Sequence, residues 1–329
     1  SIIRTIAELA RVAHRERVDL IHANSVVAGV HALPAAMLLG LPCIVHARDF
    51  NTASLTNKCV KLMLRYPRSL MVFVSEALAR HYGAGKDCGY RYRVIYNAID
   101  TDTFHPIPDA RKLLLDEFAL PEDSVLVGSV GRIEPWKGHS LLLDAFALVA
   151  EKHPQARLLI VGDVVFERHE KARRALVEKA HKHGISDKVV FTGFRKDMPA
   201  VMAGLDLLVH CPVEPEAFGL IIAEAMACGK PVVTVPLGGI PELVTGGKNG
   251  LLARPGDRHS LAAWISRLLK DPELRRTLGE EGLRTVRQRF GLSRETIEIQ
   301  DLYDTMLALS PSRNGRARGT RSEEYPVGR

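Results

Sequence analysis

Two stretches of this 329-residue sequence carry side chains whose types and spacing could do chemistry. In EAFGLIIAE, Glu216 and Glu224 flank an apolar run that opens at Phe218-Gly219. A helix there, rising ~1.5 Å per residue, would set the two acids about 12 Å apart along its axis. That is too far for a carboxylate pair acting on one bond. It suits two grips on one elongated ligand. In SVGRIEPWKGH, residues 129 to 139, a strand pattern runs into Gly131 and Arg132, and a short polar loop leads to Lys137-Gly138 at a helix start. Cations at the carboxyl edge of a parallel sheet, beside a helix N-terminus, are placed to hold an anion such as a diphosphate. The glycines do not follow G-x-G-x-x-G, so the dinucleotide fingerprint is missing.

Pro212, Pro215 and Gly219 keep the chain ahead of the second helix extended, which leaves Glu216 in a loop and Glu224 inside the helix. A ligand lying over that N-terminus would bring its phosphates near Arg132 and Lys137. An ionised carboxylate can accept both hydroxyls of a vicinal diol, so each flanking sugar would meet one glutamate. The pattern suits a nucleoside diphosphate sugar, with Glu224 on the ribose and Glu216 on the second sugar. Taken singly, each residue has an ordinary alternative: Arg132 and Lys137 as exposed loop cations, Glu216 as a charge favourable to a helix N-terminus, Glu224 as a surface position.

The elements that must position these residues follow a strand-helix alternation, the pattern of parallel sheets wrapped by helices. Strands are predicted at 18–23, 42–48, 70–74 and 92–96, and again at 124–131, 157–162, 188–192, 205–210, 231–235 and 250–253. Helices are predicted near 138–152, 167–183, 219–228, 258–269 and 293–309. Residues 97–123 carry three prolines and no strand pattern, and read as an interdomain connection. The expected fold is α/β with two doubly wound, Rossmann-like domains facing across a cleft. Residues 1–122 are expected to form a partial N-terminal domain with its linker, 123–290 a second domain, 291–309 a closing helix and 310–329 a disordered basic tail. The first domain lacks an opening strand and glycine turn, so it is expected to be truncated.

Composition narrows the classes. Five cysteines, Cys43, Cys59, Cys88, Cys211 and Cys228, form no C-x-x-C pair, which argues against a disulfide framework and a zinc site. The tail from residue 311 holds five arginines against two glutamates, so it supplies +3 of the net +7. No basic-aromatic motif accompanies the remainder, which argues against nucleic acid. No run of eighteen apolar residues and no signal peptide is present, and a cytoplasmic protein is expected. Lys58, Lys61, Arg65 and Arg68 would make one basic stripe if NKCVKLMLRYPR were helical. Such a stripe could contact the inner face of a membrane or an acidic lipid-linked acceptor; a solvated helix face is the plainer alternative.

The motifs GRIEPWKGHSLLLDAFA, VGD, VVFTGF, EAFGLIIAEAMACGKPVV and GGIPELVTGGKNGLL, in this order and spacing, resemble the donor-binding half of glycosyltransferase family 4. The similarity runs from about residue 74 to 309. It implies a GT-B fold and transfer of a sugar from a nucleotide donor to an acceptor hydroxyl, with retention of configuration and no obligatory metal or other cofactor. The same resemblance implies that residues 1–122 are the acceptor side and 123–290 the donor domain, and that the closing helix at 291–309 crosses back. By resemblance, Arg132 and Lys137 neutralise the leaving diphosphate, while Glu216 and Glu224 take the sugar and the ribose. Gly193-Phe194 holds the base, Gly238-Gly239 closes a loop near the donor, and Gly131, Phe218 and Gly219 frame it. The family places a functional His six residues after a strand-opening proline. Counted from Pro42 that position is Arg48, with His46 two earlier; His46 is expected on the sugar and Arg48 on phosphate. The acceptor stays open between a glycan, a lipid-linked molecule and a small molecule. A non-catalytic nucleotide-sugar-binding module and a nicotinamide-dependent dehydrogenase are the alternative functions.

Overall fold

The computed structural model describes residues 2–50, 54–85, 88–164 and 170–308, with side chains 54–57 left aside. The tail at 310–329 and the predicted helix ends at 167–169 and 309 lie outside the described residues. Two compact units emerge: residues to Tyr96 together with those from Glu295, and Asn97–Arg294.

The first unit holds strands β1 (Ile21–Ala23), β2 (Cys43–Ala47), β3 (Ser69–Phe73) and β4 (Tyr92–Val94), alternating with helices α1 (Ile2–Arg15), α2 (Val26–Leu39), α3 (Ser54–Met63) and α4 (Glu76–His81). All neighbours pair in parallel and the strands lie in chain order. Helix starts are fixed locally: Ser25 and Ser75 each accept a backbone N–H from the first turn, of Ala28 and Leu78. Alternation along β2 then sorts its faces. Val45 packs against Gly29 of α2, where a Cβ would come within 2.8 Å of the valine. Ile44 joins Leu70, Val72 and Ile95 in an apolar cluster.

The second unit holds α5 (Ala110–Glu117), β5 (Val125–Val130), α6 (His139–Ala150), β6 (Ala156–Val161), α7 (Glu170–Lys182), β7 (Val189–Gly193), α8 (Met198–Gly204), β8 (Leu207–His210), α9 (Leu220–Ala227), β9 (Val232–Thr234), α10 (Ile240–Leu243), β10 (Leu251–Leu252), α11 (Arg258–Lys270) and α12 (Pro272–Arg289). Its strand order is β10-β9-β8-β5-β6-β7, all parallel. The order reverses direction at β5 and β8. That is the topological switch point of a doubly wound sheet, where ligands bind beyond the strands' carboxyl ends. Burial on both faces explains runs such as LLIV in β6, which alternate nothing and expose nothing.

Helix α13 (Leu292–Ala308) begins in the second unit and, from Glu295, belongs to the first. There Leu302 and Met306 complete the cluster around Ile44. Two expectations change. Residues 97–122 belong with the second unit rather than the first: α5 packs Leu114 against Gly204 of α8, and Arg111 pairs with Asp206 at 3.2 Å. The basic stripe also fails as one helical face. Helix α3 stops at Met63, before Arg65 and Arg68, because Tyr66 precedes a proline and is pushed out of the helical region. Arg68 turns instead to the carbonyl of Gly40 at 2.6 Å.

Candidate donor site in the second unit

Three neighbouring strands end in glycine. Gly131 follows β5, Gly162 follows β6 and Gly193 ends β7, with φ of 147°, 133° and 71°. Their backbones tie together: the Gly131 N–H donates to the Val161 carbonyl at 2.9 Å, and the Gly162 N–H to the Gly193 carbonyl at 3.0 Å. A Cβ at Gly162 would lie 2.1 Å from the Gly131 oxygen. The sheet therefore ends here in a shelf of glycine backbone, where Gly131 and Gly162 approach more closely than a side chain would allow. Phe194, beside it, is 73% exposed.

Beyond Gly131 the chain passes Arg132 and a 3-10 turn, Pro135–Lys137, before α6. Gly138 must be glycine: its φ is 79°, and a Cβ would sit 1.8 Å from the Cys211 carbonyl oxygen in the loop after β8. That close approach draws the β5 and β8 loops together at the switch point. Lys137 Nζ consequently donates to Glu216 Oε2 at 2.8 Å, although 79 residues separate them. The ammonium also lies 3.9 Å from the Trp136 ring centroid. A third member was not anticipated. His210, the last residue of β8, places Nε2 3.1 Å from the same Oε2. Burial pushes the Glu216 carboxyl up, but the hydrogen bonds and charges of His210 and Lys137 outweigh it and hold the group well below the usual carboxylate range.

Arg132 is half-exposed and pairs with Glu134 at 3.2 Å; Glu134 in turn accepts the Trp136 indole N–H at 2.6 Å. Behind this loop lies buried His139, its ring nitrogens 3.2 Å from Ser129 Oγ and 3.3 Å from the Arg132 carbonyl oxygen. Burial lowers its pKa to about 4, so it is neutral near pH 7.

The Glu216 backbone forms a parallel bridge to Gly238, and its carbonyl accepts the Gly239 N–H at 2.8 Å. A Cβ at Gly238 would meet that carbonyl at 2.2 Å, so the diglycine loop docks on Glu216 by close backbone approach. Gly219, at φ 97°, turns the chain into α9, while the Phe218 ring is buried edge-to-face on Phe290 and serves packing. Glu224 lies one turn inside α9, partly buried, and no cation pairs with it among the described residues. Burial raises its pKa to about 7.

The remaining two expected residues lie in the first unit. His46 and Arg48 share a face, Arg48 Nη2 being 3.4 Å from His46 Nδ1. The His46 ring is fully buried, stacked on His22, whose Nδ1 lies 2.8 Å from the Tyr303 hydroxyl of α13. Arg48 is the exposed member and donates to Asn24 Oδ1 at 2.7 Å.

Residues 111–285 match the family described as Glycosyl transferases group 1, and residues 1–103 match Glycosyltransferase Family 4. Over 91% of this chain and 81% of the other, the fold superposes on Anabaena Alr3699/HepE, crystallised with UDP and glucose, at a TM-score of 0.83 and 30% identity. This chain belongs to the glycosyl transferases group 1. Its two parallel α/β units are those of the GT-B fold. Among relatives in sequence, N-acetyl-alpha-D-glucosaminyl L-malate synthase of Bacillus anthracis is 26% identical over 92% of this chain and 78% of its own length. D-inositol 3-phosphate glycosyltransferase of Xylanimonas cellulosilytica is 33% identical over 73% of this chain, which spans a little over half, 56%, of that relative. Among the described residues no helix is long and apolar enough to cross a membrane.

Signals for two residues were present in the sequence but carried no weight there. Gly162 sits inside the VGD motif, and only its position beside Gly131 and Gly193 gives it a task. His210 ends an apolar strand, where a histidine looks like core until its partner is known.

Proposed function

We propose that this glycosyltransferase binds a nucleoside diphosphate sugar at the carboxyl edge of β5–β8 and transfers the sugar, with retention, to an acceptor hydroxyl. The convergence of Lys137 and His210 on Glu216 at the switch point, beside the glycine shelf, carries this proposal. Relatives support the donor class: the Anabaena protein was crystallised with UDP, with UDP-glucose, and with UDP and glucose. The base would lie at Gly193-Phe194, the ribose on Glu224, the diphosphate by Arg132 and Lys137, and the sugar on Glu216. As the anomeric C–O bond to the diphosphate breaks, a new C–O bond to the acceptor oxygen forms on the same face. The acceptor's proton passes to the departing phosphate oxygen. Charge on the diphosphate grows during this step, so Arg132 and Lys137 stabilise the transition state more than the bound donor. No side-chain nucleophile is required, and the two cations neutralise the leaving group without calling on a metal. The acceptor is a glycan, a lipid-linked molecule or a small molecule bearing a free hydroxyl.

A thermal-shift panel of UDP, GDP and ADP with their glucose and mannose derivatives tests the proposal, since a ligand of the native state raises its apparent stability. One base should give a clear rise, and release of that diphosphate from its sugar nucleotide should persist in EDTA. No shift with any of the three diphosphates contradicts the donor site. Binding without any release, with acceptors supplied, favours a non-catalytic binding module.

A further inference from the structure

Glu216 takes two hydrogen bonds on one oxygen. Both Lys137 Nζ and His210 Nε2 go to Oε2, at 2.8 and 3.1 Å, and Oε1 takes none among the described residues. The carboxylate is only 17% exposed and His210 4%, so water does not readily replace a lost partner at Oε2. The two donors differ in what else they must do. Lys137 sits on a loop, on the Trp136 ring, and in the function proposed above it must also meet the leaving diphosphate. His210 closes a strand paired on both sides, with β5 and β9, and has no second hydrogen-bond partner among the described residues. Once a diphosphate arrives, the lysine's charge is shared between two anions. The histidine's N–H stays with one.

We propose that His210 is a positioning residue for the donor sugar: its Nε2–H anchors Glu216 Oε2 when Lys137 engages the diphosphate, which keeps Oε1 turned toward the sugar hydroxyls. This rests on the donor reading of the site and adds a residue that touches no part of the donor itself. On this reading the ring nitrogen matters more than the ring, because Glu216 needs a donor that does not compete for phosphate.

Calorimetry of the full chain with UDP and UDP-glucose tests it. His210→Leu fills the space without a donor, and His210→Gln offers an amide N–H from a similar position. UDP affinity is expected to stay within about 2-fold of wild type in both variants. The ratio of UDP-glucose to UDP affinity should fall about 10-fold in His210→Leu and less than about 3-fold in His210→Gln, the loss being that of one hydrogen bond to a charged group. In a Glu216→Ala background, His210→Leu should leave that ratio unmoved, because a positioning residue has nothing left to position. An unchanged ratio in His210→Leu with folded protein overturns the inference, as does an equal loss for both ligands. A wild-type protein that binds none of UDP, GDP and ADP contradicts the donor site as well, a result distinguishable because it appears before any substitution.

Discussion

The two parallel sheets differ in one topological respect. In the first unit the strands follow chain order, β1-β2-β3-β4, so every loop at the carboxyl edge leads to a helix on the same side. The second sheet reverses at β5 and β8, and the loops after those strands leave toward opposite faces and open a crevice. The chemistry tracks that difference. At the reversal Lys137 meets Glu216, 79 positions further along the chain, and His210 joins them from six positions before Glu216, with Lys137 and Glu216 still partly exposed. In the first sheet His22 and His46 stack on each other, His22 Nδ1 lies 2.8 Å from the Tyr303 hydroxyl of α13, and both Nε2 atoms are buried without a hydrogen-bond partner among the described residues. The switch point gathers Lys137 and Glu216 where they stay partly exposed, whereas the first sheet buries His46 fully.

The largest effect should come from removing the cation at the switch point. Lys137→Ala is expected to lower kcat by about 10²-fold or more, as loss of one oxyanion donor does, with a smaller change in donor KM. If only KM rises, Lys137 binds substrate and transition state alike and the crevice is merely a binding groove. Next comes the shelf. Gly162→Ala forces a Cβ within 2.1 Å of a backbone oxygen, at a φ of 133°, and should cost about 2 kcal/mol or more in denaturant unfolding. An equivalent Gly85→Ala in the first unit, with nothing within 4 Å, should cost little.

The smallest effects separate the units by pH. Burial first, then Arg48 and His22, lowers the His46 pKa to about 3, and burial with Arg48 lowers His22. Folded His46 therefore stays neutral well below the pH near 6.5 at which the unfolded chain takes up protons, and His22 shifts in the same direction. Their contribution is present above about pH 6.5 and is lost as pH falls toward 3. Glu224 runs the other way. Its folded pKa, about 7, is above that of an unfolded glutamate near 4.5, so its contribution is full at low pH and is lost as pH rises through 7. Thermal midpoints between pH 5 and 8 should therefore steepen on the acid side through the histidines, and Glu224→Gln should flatten the decline from about pH 5 to 7. A Glu224→Gln profile that parallels wild type would mean the carboxylate is solvated.

Much of this contrast was legible before the fold was known. The glycines of GRIEPWKG and the spacing of Glu216 from Glu224 carry steric and charge requirements that sequence records directly, and the strand-helix alternation located β5 and β8. Sequence could not show that Lys137 and Glu216 bind each other, because a contact across 79 residues exists only after the sheet order is set. It missed His210, only six residues before Glu216, because a histidine that ends an apolar strand reads as core. It drew the basic stripe too long by treating apolar spacing as helix through Tyr66-Pro67, where backbone sterics end it. It left α5 in a linker because three nearby prolines outweighed the short LLL face, which buries Leu114 and Leu115 once α8 is present.

The central claim is that the seven-residue spacing between Glu216 and Glu224 measures out a nucleotide sugar, and calorimetry of Glu216→Ala and Glu224→Ala against UDP and UDP-glucose tests it most directly. Glu224→Ala should weaken both ligands by similar factors, about 1.5 to 3 kcal/mol each, since both carry the ribose. Glu216→Ala should leave UDP affinity unchanged or slightly raised, because Lys137 is released to the phosphates, and should weaken UDP-glucose selectively. Equal losses of UDP affinity in the two variants would contradict the account.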